Sequence, residues 1–320
     1  MSNETHIRIA GDLASQFRTR ADEADRHSKL PIEDIDALKS SGYLFLNIPK
    51  SFGGFGLSLR ECAEAQLTLA RGSASTALVA AMQLQVFGAA LDCKTWTTGG
   101  RHLTHMLVKA MCNNEASVFL VEQNCPGIRW EETWKNALSV RASDSHDIYF
   151  ENCQVPGENL IQPQPDPPFA KSPWFPMMLA AVYLESAIAA RNAVIQYALE
   201  RVPTALGKPI ATLPKIQRQI GELDMPLRAA RCLLLDTADT WNGNIARITT
   251  AKHFAVSVAN DVTEKALLIA GGRALTSSLP LERYFRDVRA GQMQPPSGDT
   301  ALEIIGKNAI DERGLETQNP

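Results

Sequence analysis

One stretch of the chain decides the fold: IAGGRALTSSLPLERYFRDVRAGQMQPPSGD, residues 269–299. A helix ends there at the pair Gly271-Gly272, the chain turns at Pro280, and a second, charged helix begins. The double proline Pro295-Pro296 then breaks the pattern, because a proline ring removes a backbone donor and clashes with the preceding helical turn. The stretch predicts two helices, a short turn between them and a sharp break after them.

Apolar residues at helical spacing continue on both sides of this stretch. The connectors between the predicted helices have the length that is usual in helical bundles. We therefore predict a C-terminal four-helix bundle followed by one shorter helix. The predicted helices are Met177–Arg201, Pro214–Trp241, Ala246–Ala270 and Pro280–Gly291, and the shorter one is Thr300–Arg313.

The middle of the chain has a different character. Three short segments rich in β-branched or aromatic residues predict strands at Val118–Glu122, Ile128–Glu132 and Asp147–Glu151. Six prolines between residues 163 and 176 then predict a stiff, extended connector.

The N-terminal third is predicted to be helical. Ile9, Leu13 and Phe17 recur at four-residue spacing. Residues 48–56 predict a glycine-rich turn, where positive φ angles are needed. The other predicted helices are Ile32–Ser40, a pair within Leu57–Leu91 that is rich in small residues, and His102–Met111. Together these elements predict an α+β chain that is mainly helical, with a helical domain (1–113), a short β-domain (114–161), a connector (162–176) and a helical bundle (177–320).

Composition excludes several classes of protein. A formal net charge of −3 without a basic cluster argues against a nucleic-acid binder. The six cysteines form no Cys-x-x-Cys pair, so neither a zinc site nor a disulfide framework is predicted, and we expect most of them to be small core residues. No uninterrupted apolar stretch reaches membrane length, and no signal peptide is recognisable, so we expect a cytoplasmic protein without membrane contact.

Four segments in the same order resemble the acyl-CoA dehydrogenase family. They are Pro49–Gly56, Arg71–Met82, Arg141–Pro156 and the Gly271-Gly272 to Asp287 run. The resemblance implies an N-terminal helical domain, a central β-domain and a C-terminal four-helix bundle, assembled as a homodimer or homotetramer. It also implies FAD bound between these domains and a partner subunit, and an acyl-CoA or related small molecule as substrate. In the family a carboxylate removes the α-proton while the β-hydrogen leaves as hydride to the flavin.

The same resemblance implies five cofactor contacts in this chain. Gly271 and Gly272 correspond to a glycine pair that approaches the FAD pyrophosphate, with a plain helix C-cap as the alternative. Arg201 and Gln217 correspond to contacts at the adenine end, although Arg201 could equally cap its helix and Gln217 could face solvent. Ser297 stands where relatives carry a threonine that contacts FAD.

Two departures from the family bear on its chemistry. The passage from Met111 to Val118 indicates that part of the β-domain is missing, including a Thr-Glu-Pro-x-x-Gly-Ser-Asp motif and a Lys-x-(aromatic)-Ile-(Ser/Thr)-Asn strand. The usual catalytic glutamate falls on Pro295, and the alternative position, Trp174–Met178, also lacks an acid. The remaining candidate bases are Asp299, Glu303 and Glu185, and Glu185 lies in an apolar helix where burial would raise its pKa.

Other charged groups favour structural roles. His102 and His105 are spaced as a metal pair on a helix would be, but no further ligand set accompanies them, so no metal site is predicted. Arg286, Asp287 and Arg289 are expected to form structural ion pairs.

Two functions remain open. The first is a flavin-dependent oxidoreductase that acts on CH–CH groups, or a flavin monooxygenase, with an acyl thioester or related substrate. The second is a non-catalytic relative that has lost flavin binding and serves as a dimeric binding or assembly module.

Overall fold

The structure is a computed structural model that describes residues 5–86, 97–112, 115–161 and 172–318. Within these ranges four helices come first, five short strands follow, and six helices complete the chain. This order confirms the predicted class, an α+β chain that is mainly helical.

The four N-terminal helices are α1 (Thr5–His27), α2 (Ile32–Ser40), α3 (Leu59–Ala70) and α4 (Ala74–Val86). Leu13 and Phe17 are buried on α1, as their spacing predicts. A capping box begins α3, because Ser58 and Glu61 each accept a hydrogen bond from the other's backbone N–H. The last residues of the predicted pair, 87–91, lie outside the described residues.

A glycine-rich turn separates α2 from α3. Gly53 and Gly56 have φ angles of +82° and +63°, which only glycine adopts readily. The Gly56 N–H donates to the Ile48 carbonyl at 2.8 Å, and a Cβ on Gly54 would overlap that same carbonyl. The predicted turn is confirmed.

Five strands form two small antiparallel sheets. Strands β1 (His105–Cys112), β2 (Glu115–Glu122) and β5 (Leu160–Ile161) form one sheet in the order β1-β2-β5. Strands β3 (Ile128–Glu131) and β4 (Asp147–Phe150) form a two-stranded ribbon. The three predicted strands are confirmed as β2, β3 and β4.

The predicted helix His102–Met111 is wrong. Residues 105–112 form β1, which pairs with β2 along its whole length, from His105 opposite Glu122 to Cys112 opposite Glu115. Pairing with a strand rich in β-branched residues overrides the weak local helix preference of this segment. The predicted boundary after residue 113 therefore falls between two paired strands, and the β-region reaches back at least to Thr97, which pairs with His146.

The bundle contains three long helices, α5 (Trp174–Glu200), α6 (Pro214–Asp239) and α7 (Ile245–Ala270). The predicted helix Pro280–Gly291 is divided into α8 (Leu281–Asp287) and α9 (Ala290–Met293), and α10 runs over Gly298–Gln318. Helix α5 begins three residues before its predicted start, so Pro176 lies in its first turn, where proline is tolerated. The prolines at positions 163–168 lie outside the described residues.

Ion pairs fix the directions of the long helices. Arg191 of α5 pairs with Asp224 of α6, at equal depth from the connector between them, so the two helices are antiparallel. Arg247 of α7 contacts Asp236 and Thr240 at the end of α6, so α6 and α7 are also antiparallel. The C-terminal ends of α5 and α7 therefore lie at the same end of the bundle as the start of α6.

One described helix, α5, is long and apolar enough to cross a membrane by length and composition alone. Because 67% of its apolar window is buried inside the protein, this apolarity is that of a core helix.

Candidate functional site

Four of the five predicted cofactor contacts lie at one end of the bundle. Gly271 follows the last residue of α7, Arg201 follows the last residue of α5, and Gln217 lies in the first turn of α6. Gly272 lies at the same end. We call the end of the bundle that is formed by Gly271, Gly272, Arg201 and Gln217 the glycine end. The structure thus brings together residues that are up to 71 positions apart in the sequence.

The backbone of the glycine end is open to a ligand. Gly271 caps α7 with a φ of +62° and a ψ of −143°, so the helix ends there but outside the αL conformation expected of a C-cap glycine. A Cβ added to either Gly271 or Gly272 would meet no atom within 4 Å. The Arg201 side chain is exposed, while its backbone N–H bonds to Tyr197 and its carbonyl accepts from Ile210. Gln217 is also exposed, and its amide donates to the Ala211 carbonyl at 3.1 Å.

Ser297 lies near the opposite end of the bundle. It follows Pro296, whose carbonyl accepts a hydrogen bond from Lys252, seven residues after the start of α7. Gly271 lies 19 residues further along α7, which is roughly 28 Å at 1.5 Å per residue. Within one chain, Ser297 and the glycine end therefore cannot contact the same part of a cofactor.

A buried lysine that the sequence analysis missed holds the loop where the family places its base. The Lys252 side chain is almost completely buried and donates to the carbonyls of Gly291 (2.8 Å), Gln294 (2.7 Å) and Pro296 (2.9 Å). Burial lowers its pKa to about 8. The available signal was a lone lysine within an apolar helical segment, whose charge has to find partners when it is buried.

Tyr183 of α5 secures the same loop. Its hydroxyl donates to the Gln294 side chain at 2.7 Å, and its ring packs against Gly291, where a Cβ would lie 2.7 Å from a ring carbon. In the described part of the chain the loop is thus held by Lys252 and Tyr183, and neither is an acid. The loop has a defined shape without a carboxylate at Pro295.

Glu185 faces away from this loop. It lies two residues from Tyr183 and therefore on a different face of α5. One carboxylate oxygen accepts from Arg71 at 2.9 Å, and the other is buried without a partner in the structure. Burial raises the pKa of Glu185, as predicted, but the group belongs to an ion pair between α5 and the end of α3. The other candidate bases, Asp299 and Glu303, are exposed on α10.

A buried charge cluster lies in the β-region around Asp144, which has a φ of +52°. Arg101 contacts both oxygens of this carboxylate, one of them at 2.9 Å from Nε, and His146 and His102 lie at 3.1 and 3.4 Å. Burial raises the pKa of Asp144, but hydrogen bonds from His102 and Arg101 outweigh it and hold this pKa well below the usual range. The Asp144 carboxylate is therefore fully paired, and the cluster has a structural role.

The histidines of this region are structural as well. The Trp134 backbone N–H donates to Nδ1 of His146, so the proton of its neutral ring is on Nε2 and points to Asp144. Burial lowers the pKa of His146, although the Asp144 charge opposes it. His102 contacts Asp144, whereas His105 is exposed on β1, so the two do not share a helix face. No group of three metal-ligating side chains occurs among the described residues.

Asp287 connects the bundle to the β-region. Its side chain accepts from the Val140 N–H at 2.9 Å, and its carbonyl accepts from the Ser139 hydroxyl at 2.6 Å. Burial raises the pKa of Asp287 to about 6. Arg286 pairs with Asp25 at 2.6 Å and with a glutamate one turn earlier, which confirms the predicted structural ion pairs.

Arg289 differs from this prediction. It bonds to the Asn260 side chain and lies 3.9 Å over the Phe285 ring, so its hydrogen-bond partner is an amide and not a carboxylate.

Family models and a curated relative identify the chain. The model described as acyl-CoA dehydrogenase, N-terminal domain, matches residues 10–93, and the model of the C-terminal domain matches residues 177–294. The putative acyl-CoA dehydrogenase YdbM of Bacillus subtilis is 30% identical, over 94% of this chain and 95% of its own length. This chain belongs to the acyl-CoA dehydrogenase family.

Other relatives differ in their named chemistry. The L-evernosamine nitrososynthase of a Micromonospora species is 25% identical over 99% of this chain and 92% of its own length. Butyryl-CoA dehydrogenase from Megasphaera elsdenii has the same fold, with a TM-score of 0.84 at 20% identity, covering 96% of this chain and 98% of that one. Dibenzothiophene monooxygenase from Paenibacillus sp. A11-2 has a TM-score of 0.83 at 19% identity, covering 96% and 97%.

The chain is shorter than its alignment with the YdbM relative. Its alignment with YdbM runs over 364 positions although the chain has 320 residues, so the relative contains residues that this chain lacks. The expectation that two flavin-contact motifs are missing stays a prediction. The sequence Lys94-Thr95-Trp96-Thr97-Thr98 keeps the Lys-x-aromatic-x-Thr spacing of one of them, although residues 94–96 lie outside the described residues.

The described end of this motif lies against the Arg141–Pro156 segment. Thr97 donates its N–H to the His146 carbonyl at 3.0 Å, and the Thr98 hydroxyl is 2.8 Å from the Ser145 hydroxyl. A Cβ on Gly100 would lie 2.5 Å from Trp130, so the ribbon packs closely on this segment. These contacts join residues 97–100 to the Arg141–Pro156 segment and to Trp130 of β3.

Proposed function

We propose that the chain is a flavin-dependent oxidoreductase that acts on an acyl thioester or a related small molecule. The glycine end carries the proposal, because it combines an open backbone at Gly271 and Gly272 with the exposed Arg201 guanidinium. The Gly271 N–H is bonded to the Leu267 carbonyl, so the pyrophosphate of FAD would approach through the open space at the two glycines and pair with the Arg201 cation. A bound flavin accepts a hydride from a substrate or, when reduced, delivers electrons to oxygen.

The positions of the contacts favour a homodimer or homotetramer. Roughly 28 Å of α7 separates the glycine end from Lys252 and the Ser297 loop. Both groups reach one cofactor only if a second copy supplies one of them. We propose that Thr97, Thr98 and Ser297 serve one copy's flavin and that the partner's glycine end completes the site.

The loop at Pro295 favours oxygenation over dehydrogenation. Dehydrogenation requires a base at the substrate α-carbon. The segment Gln294–Ser297 contains no acid. Lys252 donates to the backbone carbonyls of Gln294 and Pro296, and Tyr183 donates to the Gln294 side chain. Relatives named as a nitrososynthase and a monooxygenase support the view that this fold carries oxygenating chemistry.

A second candidate function is a non-catalytic dimeric module. One observation favours it: the hydroxyls of Thr98, Ser143 and Ser145 are bonded to one another, at 2.8 and 2.7 Å. Hydroxyl groups that already have hydrogen-bond partners gain less from binding a flavin ring.

Flavin titration tests the proposal. The purified protein is titrated with FAD and with FMN, since the related Paenibacillus enzyme has been solved with FMN, and binding is followed by flavin fluorescence and absorbance. We expect FAD to bind more tightly, because only FAD has the adenine and pyrophosphate groups that suit the glycine end. Absence of binding for both flavins at saturating concentration would overturn the oxidoreductase proposal.

A variant pair locates the site. Gly272→Val places a side chain in open space at the glycine end and should weaken FAD binding at least tenfold, while FMN binding changes little. Gly306→Val on the exposed face of α10 is the control, because a Cβ there also meets no atom within 4 Å. If flavin binds, anaerobic bleaching by acyl-CoA esters indicates dehydrogenation, whereas substrate-dependent oxygen uptake after chemical reduction indicates oxygenation.

A further inference from the structure

Two cysteines face each other at the base of the β3–β4 ribbon. Ile128 of β3 pairs with Phe150 of β4, and three residues outward on each side lie Cys125 and Cys153. The Glu151 N–H donates to the Gly127 carbonyl at 2.8 Å, and the Ile128 N–H donates to the Cys125 carbonyl at 3.2 Å, so a turn at Pro126-Gly127 places Cys125 at the end of the ribbon.

The two thiol groups are also adjacent to each other. The Cys125 Sγ lies 3.6 Å from the carbonyl of Gln154, the residue after Cys153, and the Cys125 thiol is near enough to raise the pKa of Cys153. Gly127, with a φ of +93°, makes this approach possible, because a Cβ there would lie 3.2 Å from the Cys153 sulfur. A side chain at position 127 would push the thiols apart.

Both thiols are accessible to small reagents. Cys125 and Cys153 are half-buried, and Cys125 lines a groove of about 330 Å³ between β2 and the segment that follows β4. Cys62 is buried on α3, and burial raises its pKa to about 12, so it is protected. Cys232 is exposed on α6. The prediction that most cysteines are core residues therefore holds only for Cys62 among the four whose side chains are described.

We propose that Cys125 and Cys153 are a redox-active pair. A low-molecular-weight disulfide such as glutathione disulfide oxidises the pair, which then forms a reversible intrachain disulfide. The Cys125 thiolate attacks one sulfur of the reagent, which forms a mixed disulfide and releases one thiol. The Cys153 thiolate then attacks the Cys125 sulfur, which closes the intrachain bond and releases the second thiol. The two cysteines lose two electrons and two protons, and the reagent's disulfide is reduced to two thiols.

The order of attack follows from the surroundings of the two groups. Burial and the neighbouring Cys125 thiol raise the pKa of Cys153, so Cys153 is the poorer first nucleophile. Cys125 faces the groove, where a reagent can approach it. The proposal is independent of flavin binding, because it concerns only the ribbon and a thiol reagent.

Mass mapping after equilibration in glutathione buffers tests the proposal. The full-length protein is incubated at several ratios of glutathione disulfide to glutathione, free thiols are blocked with N-ethylmaleimide, and peptides are mapped without reduction. We expect a cross-linked Cys125–Cys153 peptide, lighter by two hydrogen atoms than its two reduced parts, at ratios where Cys62 and Cys232 are still alkylated. Adding excess glutathione should restore both thiols.

Three variants make the outcome decisive. Cys153→Ser removes the resolving thiol, so Cys125 should accumulate as the stable glutathione adduct. Cys125→Ser should give at least tenfold less adduct at Cys153, and Cys232→Ser should form the cross-link like the unchanged protein. The proposal is overturned if Cys125 and Cys153 remain alkylated at every ratio, or if either pairs mainly with another cysteine.

Discussion

Replacing Lys252 with methionine is the sharpest test of the loop at Pro295. Methionine has a similar length and stays apolar, so it fills the space but cannot donate a hydrogen bond. The substitution removes the donor of three bonds of 2.7–2.9 Å to carbonyls of Gly291, Gln294 and Pro296. We expect the α9–α10 connection to loosen and the protein to lose stability.

The magnitude follows from two opposing effects. Hydrogen bonds to a charged group contribute roughly 1.5–3 kcal/mol each. Against this, burial lowers the pKa of Lys252 from 10.5 to about 8, which disfavours the charged form by roughly 3 kcal/mol. Because the loop can turn some of its carbonyls to water, we expect a net loss of about 2–4 kcal/mol. For a chain of 320 residues that is a fall in melting temperature of roughly 3–6 °C.

Urea and thermal unfolding, with hydrogen exchange of the loop amides, measure both effects. The matched control is Lys265→Met, on the exposed face of the same helix. We expect faster exchange of amides around residues 290–298 in the Lys252 variant alone. If the two variants unfold alike and their loop amides exchange alike, the lysine does not hold the loop.

Three further substitutions give distinct expectations. Burial raises the pKa of Asp287 to about 6, so the folded state binds an extra proton between about pH 4 and 6 and loses stability as pH rises through this window. Asp287→Asn should lack this loss, so the difference in free energy of unfolding between the variant and the unchanged protein should change by up to roughly 1 kcal/mol per pH unit up to pH 6 in urea unfolding. A difference that stays constant with pH would contradict the assignment. Gly291→Ala places a Cβ 2.7 Å from a tyrosine ring and should cost about 1–3 kcal/mol by thermal unfolding, while Gly306→Ala in α10 should be neutral or stabilising. Arg71→Met leaves the Glu185 carboxylate buried without its partner and should destabilise the protein by more than Glu185→Gln does, and equal urea midpoints would refute the importance of this ion pair.

Local sequence patterns predicted most helices because helical hydrogen bonds and side-chain spacing are local. Helix α2 has its predicted bounds, and α7 begins one residue before its prediction. The error at His105–Cys112 has a different origin, since a strand is defined by its partner, and the partner of β1 is recognisable only after the hairpin is considered as a unit.

The candidate site was predictable where a residue acts through its position in a motif. The acid-free loop follows directly from Pro295, and the glycine end follows from the pattern around Gly271. Lys252 was missed because its partners are 39 to 44 residues further along the chain, and only packing reveals them. The faces of α5 likewise decide that Glu185 belongs to Arg71 and not to the loop.

The distance between the glycine end and the Ser297 loop has a consequence for handling the protein. Under the proposed function each cofactor bridges two copies, so flavin binding and self-association are thermodynamically linked. Dilution should then release the flavin even when free cofactor is held constant, and added FAD should in turn shift the protein toward its assembled form. A preparation that is colourless when dilute would regain its yellow colour on concentration with FAD, and its melting temperature would rise with protein concentration.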